Sequence, residues 1–235
     1  SSRQVVTNTL IISLSKMVVG MLPPLIFALA INECRFRGYA RVIQTVSYLP
    51  HFLSWIIVFG ISTAMFNEGS GVINRLIKSM GGTPIPFLTS NKYARAMLVG
   101  TDLWHSIGWS SIVYLAAIMG IDTAMYEAAR IDGCGRFRRI WYITIPNLLP
   151  TVVTLWVLNM SGIFAASFDA SWMLGNSVTS DMAEVIETYV YAIGLGEGSQ
   201  FSYSTAISLM QTLIGFIMVW LTNKLSQKTT EYSLW

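Results

Sequence analysis

The sequence predicts an all-α, polytopic transmembrane helix bundle, and two observations carry that expectation. Hydrophobic residues make up 53% of the 235-residue chain and charged residues only 11%, less than half of the roughly 25% charge usual in soluble domains. The apolar residues also gather into windows long enough to cross a hydrocarbon core, which takes about 20 residues; these lie at 5–31, 42–66, 96–119, 151–174 and 203–223. Neither an internal repeat nor a low-complexity tract interrupts them, so residues 1–235 are expected to form one transmembrane domain.

The first window holds Pro23-Pro24, which removes backbone donors and predicts a bent span. Arg35, Arg37 and Arg41 follow it; Arg130, Arg136, Arg138 and Arg139 follow the third window, and Lys224 and Lys228 the fifth. Fewer basic residues (Arg3, Arg75, Lys78, Lys92 and Arg95) fall on the opposite side, and Lys16 falls inside a window. Basic residues in short loops stay on the cytoplasmic side. The N-terminus is therefore expected outside, the C-terminus in the cytoplasm, and the loop after the third window in the cytoplasm.

Two outer loops follow from this arrangement. In residues 67–92, Val72, Ile73, Leu76, Ile77 and Met80 recur at helical spacing before Gly81-Gly82, which predicts a short amphipathic helix. Residues 175–202 carry Asp181, Glu184, Glu187 and Glu197 without Lys or Arg, and Met182, Val185, Ile186, Tyr189 and Ile193 trace a second helical stripe. Either loop suits a docking partner or simple solvation.

The segment 122–150 reads as a mechanical part. Asp122 and Thr123 suit a helix N-terminus, Ala128-Ala129 favour the helix and leave one face smooth, and Gly133 supplies a left-handed stop. A second short helix is expected from Arg136 to Ile143, with Pro146 and Pro150 setting the path into the fourth window. The spacing is Glu127-Ala128-Ala129, three residues, Gly133, nine residues, Ile143, one residue, then Ile145-Pro146. That pattern resembles the EAA loop of the MetI-like permease subunits of bacterial ABC importers, with Ile145 where Leu is usual.

Further likeness extends over nearly the whole chain. Asn8-Thr9-Leu10, the run from Tyr48 through Leu49, Pro50, His51, Phe52, Leu53 and Ser54 to Trp55, and Glu231-Tyr232-Ser233-Leu234-Trp235 resemble the LplB and rhamnogalacturonan-type permeases of the oligosaccharide-importer group. The resemblance implies a multi-pass permease of the bacterial cytoplasmic membrane that imports an oligosaccharide or polysaccharide fragment by alternating access. It assigns contact with an ATPase subunit to Glu127, Ala128, Ala129 and Gly133. It implies as partners a second permease, two ABC ATPases that bind ATP and magnesium, and an extracellular or periplasmic solute-binding protein. The family usually carries one more span upstream; the chain starts at Ser1 with no Met or leader, so its beginning is expected to be missing.

The chain itself offers no nucleotide-binding Gly-rich loop, no metal-ligand spacing and no catalytic constellation, so neither a cofactor nor an enzyme is expected here. Cys34 and Cys134 read as reduced cytoplasmic thiols, and no basic stripe points to nucleic acid. For the substrate path, the fourth window places Asn159, Gly162, Ala166 and Asp169 within about 80° on one helical face. Phe164, Phe168 and Trp172 follow each other on another. Asn159 and Asp169 lead the candidates, with Phe168 and Trp172 as sugar-stacking rings; the polar pair equally suits helix-to-helix hydrogen bonds, and the rings a packed or lipid-facing role. His51 and His105 read as structural. Competing readings are an amino-acid or peptide permease, an intramembrane enzyme built on His51, His105 and Asp169, and a passive channel.

Overall fold

A computed structural model describes residues 2–196 and 200–230. Expectations at Glu197 and in the motif at 231–235 lie outside the described residues. Every element among the described residues is helical. α1 (Ser2–Asn32) runs 31 residues, continuous through Pro23 and Pro24, and at 1.5 Å per residue its length of about 46 Å exceeds the hydrocarbon core.

The second window departs from a straight span. α2 (Arg37–Tyr48) passes into a 3-10 turn at Leu49–Phe52, and α3 (Trp55–Phe66) leaves at 109°. Pro50 cannot donate to the preceding turn, and Leu53 and Ser54 adopt extended backbone, so the α-helical ladder ends there. α2 then crosses the middle of α5 where the Ser47 carbonyl lies against Gly108; a Cβ at Gly108 would collide with that backbone.

α4 (Val72–Ser79) forms as its apolar spacing predicts. Its Asn74, fully buried, donates to the carbonyls of Asn67 (3.1 Å) and Ile85 (2.9 Å) and accepts from Ile85 N–H (2.8 Å), closing the outer loop. α5 (Asn91–Met119) packs along α1, and α6 (Thr123–Ile131) turns away from it by 68°.

The next stretch corrects two expectations. α7 (Arg136–Arg139) runs through a π-turn at Ile140–Thr144 straight into α8 (Ile145–Asn159) and a 3-10 turn ending at Gly162. The separate helix expected from Arg136 to Ile143 is thus the first part of one 27-residue apolar span, Arg136–Gly162. The wider π-turn sits immediately before Pro146, whose missing N–H breaks the regular ladder there. Conversely, the expected span at 151–174 stops at Gly162, and α9 (Phe168–Leu174) is a separate short helix. Ser167, the only described non-glycine residue with positive φ (73°), makes the turn between them.

α10 (Ser180–Ala183) and α11 (Ile186–Leu195) replace the single surface helix expected in the acidic loop. Val185 is fully buried between them. α12 (Phe201–Thr230) is the last described helix. Among the described residues, three helices are individually long and apolar enough to span, and the number reaches five when each of two bent pairs is one span.

One core cluster joins Ile12, Leu98, Ala166, Ala170 and Val185 from α1, α5 and the 163–185 region; a second joins Ala28, Tyr114, Ile118 and Leu148 nearer the α6 end. On α12, Leu209, Met210, Leu213 and Phe216 are more than half exposed. Such a continuous apolar face suits lipid or another membrane subunit.

Candidate functional site

The elbow after α5 is built as its sequence predicts. The Asp122 carboxylate accepts from Ala124 N–H (2.9 Å) and caps α6. At the other end Gly133 takes φ +74°, its N–H donates to Arg130 O (3.1 Å), and Cys134 N–H reaches back to Ala129 O (2.8 Å). These two bonds form a Schellman stop, which satisfies carbonyls left over at the helix end.

Glu127, Ala128 and Gly133 are exposed, whereas Ala129 faces inward at 9% exposure. Beside them stand Ile131 at 87% and Phe137 at 89% exposure. Two braces hold the elbow. The Tyr126 hydroxyl and the buried Thr144 hydroxyl lie 2.9 Å apart, tying α6 to the π-turn, and Arg136 lies 4.0 Å from Glu33 at the end of α1. Sequence reading missed the Tyr126–Thr144 pair, since neither residue type is unusual in a helix.

Toward the other end lie two cavities. One, of about 420 Å³, is lined by Ser13, Lys16, Asp102, Trp109 and Asn159 among others. Lys16 Nζ donates to Asp102 Oδ1 at 3.0 Å, with the side chains only 11% and 27% exposed. An ionisable pair halfway along two spans is costly to keep in an apolar medium and marks a working region. A lysine inside an apolar window was the available signal, and its partner was not legible.

The second cavity, of about 500 Å³, lies between α9, α11 and α12 and is lined by Phe168, Glu187, Tyr191, Ser208, Gln211 and Thr212 among others. Phe168 stacks on Trp172 at 5.6 Å, and Tyr191 meets the two rings at 5.1 and 4.8 Å. Gln211 Nε2 donates to Phe164 O (2.7 Å), anchoring the loop before α9 to α12. Gly215 lets the Ser161 carbonyl approach α12, where a Cβ would meet it at 2.6 Å. Burial pushes the Glu187 carboxyl above its ordinary range; Lys16 pulls the other way and Asp169 adds to the rise.

The four candidates of the fourth window therefore do not share one helical face. Asn159 ends α8 and lines the Lys16 cavity; Ala166 is fully buried in the core; Asp169 is exposed on α9, electrostatically near Glu187. The interruption of the helix at 163–167 defeats the helical-wheel projection. The expected ring series loses Phe164, which precedes α9, and gains Tyr191 from α11. Tyr191 and Glu187 were hidden inside what read as a surface stripe.

His51 stacks on Trp109 at 4.6 Å with the rings 8° from parallel, and the His105 ring nitrogen Nε2 lies 3.1 Å from Leu53 O, so both serve the bend of the second window. Asn8 and Thr9 pin the outer elements. Asn8 Nδ2 donates to Asp181 O (2.9 Å) and Glu184 O (3.1 Å), Arg95 Nη2 donates to Asn8 Oδ1 (2.7 Å), and Ile186 N–H donates to the Thr9 hydroxyl (2.9 Å).

Comparison with known proteins agrees with this architecture. A family model described as "Binding-protein-dependent transport system inner membrane component" matches residues 20–231. The chain is 37% identical over 228 residues to the polygalacturonan/rhamnogalacturonan transport system permease protein YteP of Bacillus subtilis (strain 168), covering 97% of this chain and 71% of that protein. It is 38% identical over 227 residues to Protein LplB of the same organism, with the same 97% and 71% coverage. Among solved structures, a chain of a bacterial alginate ABC transporter, in complex with an alginate pentasaccharide-bound periplasmic protein, superposes with a TM-score of 0.93 at 34% identity, covering 98% of this chain and 80% of that one.

Proposed function

The chain belongs to the inner membrane components of binding-protein-dependent transport systems, and on that premise we propose that it forms half of an oligosaccharide path and takes its drive from a separate ATPase through the α6 elbow. It is a permease subunit of an ABC importer with the MetI-like helical fold. The observation that carries the coupling reading is the elbow: a rigid, Schellman-closed turn that presents Glu127, Ala128 and Gly133 to solvent. Small side chains permit close approach of a partner groove, and Glu127 is free to make a charged hydrogen bond. Ala129 serves by packing the elbow against its own chain.

The substrate class is supported by similar proteins named for polygalacturonan, rhamnogalacturonan and alginate. It is also supported by a cavity that joins aromatic rings to hydroxyl, amide and carboxylate groups. Phe168 contributes to that wall with Trp172 stacked on it, Asn159 lines the other cavity, and exposed Asp169 acts electrostatically on Glu187. In this reading ATP and magnesium bind on two partner ATPases, a second permease closes the path, a solute-binding protein delivers substrate from outside, and the elbow and C-terminus face the cytoplasm. Uptake of labelled oligosaccharide by proteoliposomes holding the whole importer tests it. ATP-dependent accumulation that disappears without the binding protein is the expected result, and accumulation without any ATPase overturns it.

A further inference from the structure

The cavity between α1, α5 and α8 carries the chemistry for a charged guest, and assigning it a saccharide rests on the proposed import function. Its α1 wall is one helical face, with Ser13, Lys16, Met17 and Gly20 at successive turns. Asp102 and Trp109 line it from α5, and Asn159 from the end of α8. Lys16 is the only Lys or Arg among the described residues lining either of the two cavities. It stands near the middle of the 31-residue α1. An ionised side chain is costly to keep there and marks the route of a polar or charged guest.

The ammonium is paired but not used up. Asp102 Oδ1, at 3.0 Å, is its one hydrogen-bond partner among the described residues, and an ammonium carries three donors. The two side chains are 11% and 27% exposed, so neither is sealed from the cavity. One turn further along α1, a Cβ built at Gly20 meets nothing within 4 Å, which leaves room beside the ammonium. Trp109, fixed by its stack on His51, is 46% exposed and adds an aromatic ring to the lining. Ala165 borders both cavities, so a guest longer than one sugar ring can touch the Lys16 wall and the Phe168 wall together.

A carboxylate entering this space shares the ammonium with Asp102. It gains the attraction of Lys16 and meets the repulsion of Asp102 from farther off, so a reduced net attraction survives. The reduction has a use: a site on a path must bind strongly enough to admit its guest and weakly enough to release it. We infer that this cavity is a transit subsite for the carboxylate of an acidic saccharide, with Lys16 as the residue that binds it and Asp102 as the counter-charge it displaces. Asp102 holds the ammonium while the path is empty and yields it as the acid arrives.

The test uses the whole purified importer without its binding protein and equilibrium binding of two labelled probes, trigalacturonate and its fully methyl-esterified form, which share stereochemistry and differ in charge. The acid is expected to bind about tenfold more tightly than the ester at low ionic strength, and the preference to shrink as salt is added. Lys16→Arg, which keeps the charge, is expected to retain the preference. Lys16→Met combined with Asp102→Leu removes both charges without stranding either, and there the ratio is expected to fall to about one. Asp102→Asn leaves the ammonium without its counter-charge and is expected to raise affinity for the acid about tenfold.

Equal or tighter binding of the ester, a preference that survives in the double variant or vanishes in Lys16→Arg, no gain for the acid in Asp102→Asn, or no binding of either probe overturns the inference. Should the importer with its binding protein still accumulate an oligosaccharide in proteoliposomes, the failure belongs to this cavity alone. Should no saccharide drive uptake, the substrate reading falls with it.

Discussion

Gly133 offers the sharpest perturbation of the coupling elbow, because its effect is confined to the backbone. It stands at φ +74°, in the left-handed region, and nothing lies within 4 Å of a Cβ built there. A side chain therefore brings no clash, only the conformational cost of the left-handed region, about 1–2 kcal/mol for an ordinary L-residue. That cost lowers the equilibrium constant for holding the Schellman turn, the ratio of closed to open elbows, roughly 5- to 30-fold. Asn tolerates this region best, Ala less and β-branched Val least. Solute imported per ATP hydrolysed by the reconstituted importer is expected to fall in the order wild type, Gly133→Asn, Gly133→Ala, Gly133→Val, with membrane insertion unchanged. Wild-type coupling in Gly133→Val, or equal loss in the Asn and Val variants, would refute a backbone role.

Lys16→Met and Asp102→Leu each strand a mid-span charge, and each is expected to destabilise the solubilised complex by less than the ~3–5 kcal/mol of fully buried pairs, because Asp102 is 27% exposed; the double variant should melt closer to wild type than either single one. Tyr126→Phe removes the hydroxyl that meets Thr144 and should cost about 1 kcal/mol, visible as faster hydrogen exchange across 123–131. Because the folded protein holds the Glu187 proton more tightly than an unfolded chain would, stability from this group is fully present below its ordinary range and is lost as pH rises through its raised one. Thermal melts of wild type should therefore fall over that window more than those of Glu187→Gln.

Much of this protein is legible in its sequence because the membrane makes the pattern simple. The windows at 5–31 and 203–223 coincide with helices long and apolar enough to span, those at 42–66 and 96–119 fall on bent helix pairs, and the Asp122 cap and Gly133 stop of the elbow follow from single-residue chemistry. The fourth window misled because hydropathy does not see a helix interruption: Ile163, Phe164, Ala165 and Ala166 are as apolar as a span, yet the helix stops at Gly162, Ser167 takes a positive φ, and Ala166 is fully buried in the core. The helix long and apolar enough to span runs from Arg136 to Gly162, and the arginines in its first turn sit outside the apolar window that the sequence shows. The substrate-side wall was only half visible. Phe168 and Trp172 are neighbours in sequence, but Tyr191, Glu187 and Gln211 join them through tertiary packing alone. Lys16 announced itself by position, and Asp102 did not, since a pair separated by 86 residues leaves no local trace.

Whether the elbow is the place where another subunit pushes is open to direct test by site-directed cross-linking. With the native Cys34 and Cys134 replaced by Ser, a single Glu127→Cys substitution in the assembled importer reports both sidedness and neighbour. Labelling by an impermeant thiol reagent only from the cytoplasmic side, together with a cross-link to the ATPase subunit, is the outcome expected of a coupling elbow. Labelling from the outer side, or a cross-link to no other subunit, would contradict that role.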